Sequence, residues 1–213
     1  MSNVFFMKKK IFISGGSSGI GEYVANNLLA NCEVYTASRS PSKNPEITYF
    51  PCDFRDDQQI IDLTEKLSNL EIDVFVFNAG IWYFGDFWSL TLEQEKEMIQ
   101  VNLWANIIFV KQLLPKISEK VKFIFVWSVA GKSLFAGGAW YQASKFWLRW
   151  FVGSLRKEMG NRVFLINPKI VETNFHKNNL IIFDEYKKTA LDDILAVVRN
   201  IIDGKQEQRE IDL

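Results

Sequence analysis

A tyrosine and a lysine stand four residues apart in the segment "YQASK", Tyr141 to Lys145, among tryptophans and phenylalanines. On an α-helix that spacing puts both side chains on one face, one turn apart. A phenol held beside an ammonium can move a proton, because a free phenol titrates at about 10 and a nearby positive charge favours its ionised form. The same pair can equally be the polar edge of an amphipathic helix, and the two residues alone leave that choice open. Ser128, thirteen residues before the tyrosine in "FVWSVAG", adds a hydroxyl that can donate to a carbonyl oxygen and stabilise charge developing there. Asn102, in "IQVNLWANI", is an amide within a helical stretch, costly to bury unless its donors and acceptor are satisfied.

A second constellation lies near the start of the chain. "KIFISGGSSGIGEYVANNLL" reads as a strand, a turn through Gly15, Ser17, Ser18, Gly19, Ile20 and Gly21, and an amphipathic helix. Glycine there permits a tight turn and lets the backbone approach a pyrophosphate, which then rests on the positive end of the helix dipole. The strand-turn-helix context points to a dinucleotide. At the end of the second strand, "EVYTASRS", an acid would bind the ribose 2′-hydroxyl of NAD, and an arginine would accommodate the 2′-phosphate of NADP. The chain offers Ser38 and Arg39 and no acid between Val34 and Ser42, which favours NADP over NAD, with a solvated loop charge as the bland reading of Arg39.

These residues need a frame. Short runs rich in Ile, Val and Phe alternate with helical stretches, the βαβ pattern of a parallel sheet. Strands are expected at Lys10–Ser14, Glu33–Ala37, Ile47–Phe50, Asp73–Phe77, Lys122–Trp127, Arg162–Asn167 and Arg209–Leu213. Helices are expected at Gly19–Ala30, Asp57–Leu67, Thr91–Ile117, Ala139–Met159 and Thr189–Asp203. "DVFVF" and "KFIFVW" are continuous apolar runs, as strands buried on both faces should be. The expectation is an α/β, single-domain, doubly wound parallel sheet of about seven strands flanked by helices, a Rossmann fold covering residues 1–213. Residues 172–186 read as a variable substrate loop at a strand's carboxyl end, where ligands bind in such sheets.

Bulk properties set limits. The 213 residues suit one domain, and 48% apolar with 15% aromatic content implies a large aromatic-rich core. Lys plus Arg and Asp plus Glu number 25 each, so nothing in the overall charge favours nucleic acid or an anionic membrane as a partner. Cys32 and Cys52 have no second Cys or His at metal-ligand spacing and form no disulfide framework, which suits a reduced, cytoplasmic protein without a metal site. The first residues lack the charge-then-apolar order of a signal peptide, and no window approaches the roughly 20 apolar residues of a membrane span.

The spacing of Gly15, Gly19 and Gly21, G-x-x-x-G-x-G, resembles the short-chain dehydrogenase/reductase family, with Ser14 where that signature has threonine. The resemblance runs from residue 10 to about 175. It implies that Asp53 in "PCDF" binds the adenine amino group and Phe54 meets the ring. It implies that Asn78, Ala79 and Gly80 stabilise the central sheet and line the cofactor's ribose. It makes Asn102, Ser128, Tyr141 and Lys145 a catalytic tetrad, with Asn102 holding a water for proton relay. In "NPKIVET", Pro168, Val171 and Thr173 match the family's P-G-x-V-x-T, whose backbone and threonine would hold the nicotinamide carboxamide. Lys169 stands where the glycine is usual and would be strained if that position needs φ > 0.

The implied activity is hydride transfer between NADP(H) and a small carbonyl compound or secondary alcohol. Tyr141 is then the acid and base, its pKa lowered by Lys145, and Lys145 also reaches the nicotinamide ribose. Trp82, Tyr83, Phe135 and Trp140 flank this centre in sequence and are candidate walls for an apolar or aromatic substrate; packing of helices or subunits is the alternative. His176, the one histidine, reads as a solvent-facing loop residue. The helices Thr91–Ile117 and Ala139–Met159 resemble those by which relatives pair. Trp147, Trp150 and Phe151 are expected contacts in a homodimer or homotetramer. Two other functions compete: a non-catalytic NAD(P)-sensing protein, which would have no need of both Tyr141 and Lys145, and a methyltransferase, which would have no use for Ser128, Tyr141 and Lys145 together.

Overall fold

The computed structural model describes residues 8–173, 175 and 188–213. Seven strands form one sheet, β1 (Lys9–Ser14), β2 (Cys32–Ser38), β3 (Thr48–Pro51), β4 (Val74–Phe77), β5 (Lys122–Val126), β6 (Val163–Asn167) and β7 (Glu210–Asp212). Their order is β3-β2-β1-β4-β5-β6-β7, and every pairing is parallel. The chain reverses direction of travel across the sheet between β1 and β4, which opens a crevice at the strands' carboxyl ends. Each expected strand is present within two residues of its expected ends.

The helices are α1 (Gly19–Leu28), α2 (Asp57–Ser68), α3 (Leu92–Ile99), α4 (Ala105–Leu113), α5 (Ala139–Met159) and α6 (Leu191–Ile202). Local chemistry sets their starts. The Asp56 carboxylate accepts the amides of Gln58 and Gln59 at α2, and Thr91 with Gln94 forms a capping box at α3. The one long helix expected over 91–117 is instead interrupted. Residues Gln100–Trp104 form a π-helical turn between α3 and α4, and Asn102 sits in it. A π turn adds a residue to the ladder and re-aims side chains, and such turns concentrate at functional sites.

The apolar strands are continuous, yet they sort by shape. On β1, β4 and β5 the rings of Phe12, Phe75, Phe77, Phe123 and Phe125 face α2, α4 and α5. Ile11, Ile13, Val74, Val76, Ile124 and Val126 face α1 and α6. Strand β6 reverses the rule, with Phe164 on the aliphatic side beneath the Arg209 guanidinium at 4.7 Å. Within the phenylalanine face, Phe77 stacks on Phe125 at 4.6 Å, and Phe75 lies 5.7 Å from Phe12 and 5.8 Å from Phe123. No helix among the described residues is long and apolar enough to cross a membrane.

On α5, Trp147 and Trp150 point outward, 49% and 66% exposed, beside Phe146. Phe151, expected among these contacts, instead turns inward, its ring edge-on to Phe125 at 6.3 Å. Phe151 lies about 100° round the helix from Trp150, and that step turns its ring toward the sheet. His176 and residues 176–186 of the expected substrate loop lie outside the described residues.

Phe75 has no solvent exposure and three ring neighbours, so Phe75→Ala leaves a cavity that the sheet cannot close. Denaturant unfolding of this variant is expected to show a loss of about 3–5 kcal/mol.

Candidate active site

The crevice at the carboxyl ends of the strands holds a cavity of about 830 Å³. Its floor at one end is the glycine turn. Gly15 has φ +72°, and a β carbon there would lie 2.9 Å from the Ala79 backbone, so both the bend and the close packing exclude a side chain. Asn78 braces the turn: its amide nitrogen donates to the carbonyls of Ser14 and Gly15, each at 3.2 Å. The Ser14 hydroxyl accepts the backbone amides of Asn78 and Ala79, each at 3.0 Å. Serine in the threonine position therefore keeps the bond that joins β1 to β4. Gly15, Ser17, Ser18, Gly19 and Ile20 line the cavity and the start of α1. Gly21 does not line it. A β carbon on Gly21 would sit 2.3 Å from the Gly15 carbonyl, so this glycine lets α1 pack onto the turn. A glycine-rich turn at a helix N-terminus fits a pyrophosphate.

Beyond the turn, Ser38, Arg39, Asp53, Phe54 and Arg55 line the same cavity. Asp53 is not a free carboxylate waiting for a base. Arg55 grips it with Nε at 2.9 and 3.0 Å and Nη2 at 2.5 Å, and these hydrogen bonds hold the Asp53 carboxyl below its ordinary value. Phe54 faces the core, 6.0 Å from Phe109, so only its backbone is turned to a ligand. Arg55 was not anticipated from the sequence; its place two residues after Asp53 was the available signal.

Ser128, Tyr141 and Lys145 line the middle of the cavity, flanked by Asn78, Ala79 and Gly80. Two backbone bonds carry β5 past its last strand residue: Trp127 donates to the Ile166 carbonyl at 2.8 Å and Val129 to the Pro168 carbonyl at 3.2 Å. They set Ser128 at the cavity wall. The Trp127 indole donates to the Lys145 carbonyl, joining the end of β5 to α5. Lys145 Nζ lies 5.5 Å from the centre of the Tyr141 ring, as the four-residue spacing requires. Both are buried, at 5% and 6% exposure.

Burial sets their titration. It pushes the Tyr141 phenol up to about 12, with a hydrogen bond to Ser128 pulling the other way, and it pushes the Lys145 ammonium down to about 8. Among the protein's own groups, burial leads at the phenol and Ser128 is the one that opposes it. Asn102 satisfies its buried amide, as its place in a helix requires. It is fully buried, and its side chain is committed to protein partners. Oδ1 accepts the Ile81 amide at 2.8 Å, and Nδ2 donates to the Ile81 carbonyl and to Ser144 Oγ, each at 3.0 Å. Its carbonyl accepts Asn106 Nδ2 at 2.9 Å. Asn102 does not line the cavity.

At the far end, Pro168, Lys169, Ile170, Val171 and Thr173 close the wall. Thr173 stands over the glycine turn, 3.4 Å from where a Gly19 β carbon would be. Lys169 has negative φ and carries no strain, since Glu71 is the one non-glycine residue with positive φ among those described. Its amide donates to Thr189 Oγ1 at 2.9 Å and its side chain is exposed, so the loop dispenses with glycine.

Aromatic rings crowd the tyrosine. Trp82 stacks on Tyr141 at 5.0 Å, and Phe84, Phe135 and Phe175 stand around Trp82 at 5.9, 6.4 and 6.3 Å. Trp82 and Phe135 line the cavity as expected, whereas Tyr83 and Trp140 do not. Alternate residues of the loop after β4 face opposite ways, so Trp82 and Phe84 face the cavity while Tyr83 turns back to donate to Glu97 Oε2 at 2.6 Å. Trp140 packs against a cluster of Met98, Ala130 and Tyr141. Among the described residues no group of His, Cys, Asp and Glu could hold a metal, and Cys32 and Cys52 are buried free thiols.

Residues 9–180 match the family model described as short chain dehydrogenase. A relative from Schizosaccharomyces pombe named as an NADP-dependent 3-hydroxy acid dehydrogenase is 30% identical over 189 residues, covering 78% of this chain and 73% of its own. An uncharacterised oxidoreductase of Bacillus subtilis is 29% identical over 194 residues, 82% of this chain and 69% of that one. The chain spans about three fifths of two insect relatives, described as dehydrogenase/reductase family proteins from Drosophila melanogaster and Anopheles gambiae, at 60% and 62% of their lengths. The crystal structure of a short chain dehydrogenase family protein from Francisella tularensis superposes with TM-score 0.85 at 21% identity, covering 97% of both chains, a likeness of fold. With the matched model covering most of its length, the glycine turn at its first strand and Ser128, Tyr141 and Lys145 on one cavity, this chain belongs to the short-chain dehydrogenase family.

Proposed function

We propose that the chain is an oxidoreductase that moves a hydride between NADP(H) and a small carbonyl compound or secondary alcohol. One observation carries the reading: Ser128, Tyr141 and Lys145 line the same cavity as the glycine turn that opens α1. The nicotinamide cofactor supplies the hydride donor or acceptor. Gly15, Ser17, Ser18, Gly19 and Ile20 would hold its pyrophosphate, Asn78 to Gly80 its ribose, and Val171 with Thr173 its carboxamide.

Tyr141 gives its proton to the carbonyl oxygen as negative charge develops there, and takes it back in the reverse direction. Ser128 donates to the same oxygen and steadies that charge. Lys145 is charged at neutral pH, which lies below its value of about 8, and so lowers the cost of the phenolate that proton transfer leaves behind. Asn102 positions these groups through Ile81 and Ser144.

The name of the S. pombe relative supports both the cofactor and a hydroxy-compound substrate. Arg39 on the cavity wall supports NADP over NAD. Trp82, Phe84, Phe135 and Phe175 favour an apolar or aromatic carbonyl compound. The exposed Phe146, Trp147 and Trp150 support a homo-oligomer, and two free buried thiols suit the cytoplasm.

Titration should show NADPH binding tighter than NADH; tighter NADH would remove the role given to Arg39. Tyr141→Phe should leave the NADPH affinity in place and cut turnover by roughly 10²–10⁴-fold in a carbonyl screen followed by NADPH absorbance. A variant as active as the parent would refute the assigned acid, and a parent that binds NADPH but turns over nothing would favour the sensing reading. Lys145→Met should stabilise the fold while abolishing turnover. The Lys145 value falls from 10.5 to about 8 on folding, so its desolvation cost is complete below pH 8 and is relieved between pH 8 and 10.5. The expected gain at pH 7 is on the order of 2–3 kcal/mol, shrinking as the pH rises to 9.5; equal stabilities at pH 7 would contradict it.

A further inference from the structure

The adenine end of the cavity carries two arginines and two carboxylates, and their bonds are divided unequally. Asp53 Oδ1 receives the backbone amide of Arg55 at 3.0 Å and Nε at 2.9 Å, and Oδ2 receives Nε at 3.0 Å and Nη2 at 2.5 Å. Arg55 then reaches across to α3, where Nη1 donates to Glu97 Oε1 at 3.0 Å. Glu97 Oε2 takes the Tyr83 hydroxyl at 2.6 Å. Asp53 is thereby filled by Arg55, and each oxygen of Glu97 has a partner, Oε1 the Arg55 guanidinium and Oε2 the Tyr83 hydroxyl. Arg39, exposed on the same wall, forms no ion pair among the described residues.

Arg39 is nonetheless within electrostatic range of the cluster. The Asp53 carboxyl is held down first by its Arg55 hydrogen bonds and the Glu97 carboxyl first by Tyr83, and in both the charge of Arg39 adds to the lowering. Left without Arg55, these two carboxylates would be open to a flexible arginine on the same wall, and a bidentate carboxylate grip is what a guanidinium prefers. A phosphate arriving at a paired arginine must first displace the carboxylate. It meets no such competition when the arginine is free.

We infer that Arg55 acts as a decoy, engaging Asp53 and Glu97 so that Arg39 stays free to receive the 2′-phosphate of NADP(H). Arg55 is then a positioning residue for cofactor choice and need not touch the phosphate, three of its five N–H donors being engaged by the two carboxylates. The inference rests on the reading of Arg39 given above, and it adds a determinant that lies outside the end of β2.

The ratio of NADPH to NADH affinity, measured by fluorescence titration, tests it, because adenine contacts common to both cofactors cancel in the ratio. If the parent shows no preference for NADPH, the reading of Arg39 fails and the decoy falls with it. If the parent prefers NADPH, Arg55→Gln should lower that preference roughly five- to tenfold, the effect of an energy near one hydrogen-bonded charge pair. An unchanged preference overturns the decoy alone. The triple variant Arg55→Gln, Asp53→Asn, Glu97→Gln removes the competing carboxylates and should restore the preference. A triple variant that stays low would mean that Arg55 itself holds the phosphate, which also overturns the decoy. Should Arg55→Gln fail to fold by circular dichroism, Arg55→Lys keeps the charge without the fork. Its preference should lie between those of the parent and of a Arg39→Ala control; parity with the parent would count against the decoy.

Discussion

Three hydrogen bonds from one buried amide hold the candidate site together. Asn102 bonds both backbone groups of Ile81 and the hydroxyl of Ser144, and Ser144 in turn donates to the Tyr141 carbonyl at 2.7 Å. The π-helical turn is what brings Asn102 to face the end of β4 and the first turns of α5 together. No water is available at full burial to replace a lost partner, so each bond is worth its full desolvation cost. The backbone of Gly80, the ammonium of Lys145 and the loop that carries Trp82 all take their spacing from this joint. In this chain the side-chain amide of Asn102 is the joinery of the site.

The chemistry asked of the site and the stability of the fold pull apart at the tyrosine and lysine. Each is pushed toward its neutral form by burial, and neither has a carboxylate among the described residues to offset it. A chain selected for stability alone would put apolar groups at 141 and 145. The polar pair is tolerated because α5 is long, anchored on both sides of the pair, and packed through Leu148, Val152 and Leu155 into the phenylalanine face of the sheet.

Much of this was legible in the residues. The strands were readable because "VFVF" and "KFIFV" leave no polar face, and α5 was readable to the residue because its start and end coincide with Gly138 and Gly160. Ser128, Tyr141 and Lys145 came from the family resemblance that their spacing carries together with the glycine turn. What stayed hidden depends on geometry that spacing does not carry. A π turn leaves no mark in a helical periodicity that continues through it, so 91–117 reads as one helix. Gly21 looks like its neighbours in a motif but serves packing. The direction of Tyr83 against Phe84, and the choice of Asp53 for Arg55, are decided by side chains that meet only after the sheet has formed. Lys169 could be placed only once its φ was known.

The sorting of rings to one face and branched aliphatics to the other has a bearing on how the strands find their partners. A sheet apolar on both sides lacks the polarity that ordinarily penalises a shift by one residue, because no charge is driven inward. Here volume takes over that task. Sliding β4 by one position would press Phe75 and Phe77 against α1 and α6, where the space fits isoleucine and valine, and leave hollows opposite α4. Misaligned pairings are thus overfilled on one side and underfilled on the other. Size alone proofreads the alignment.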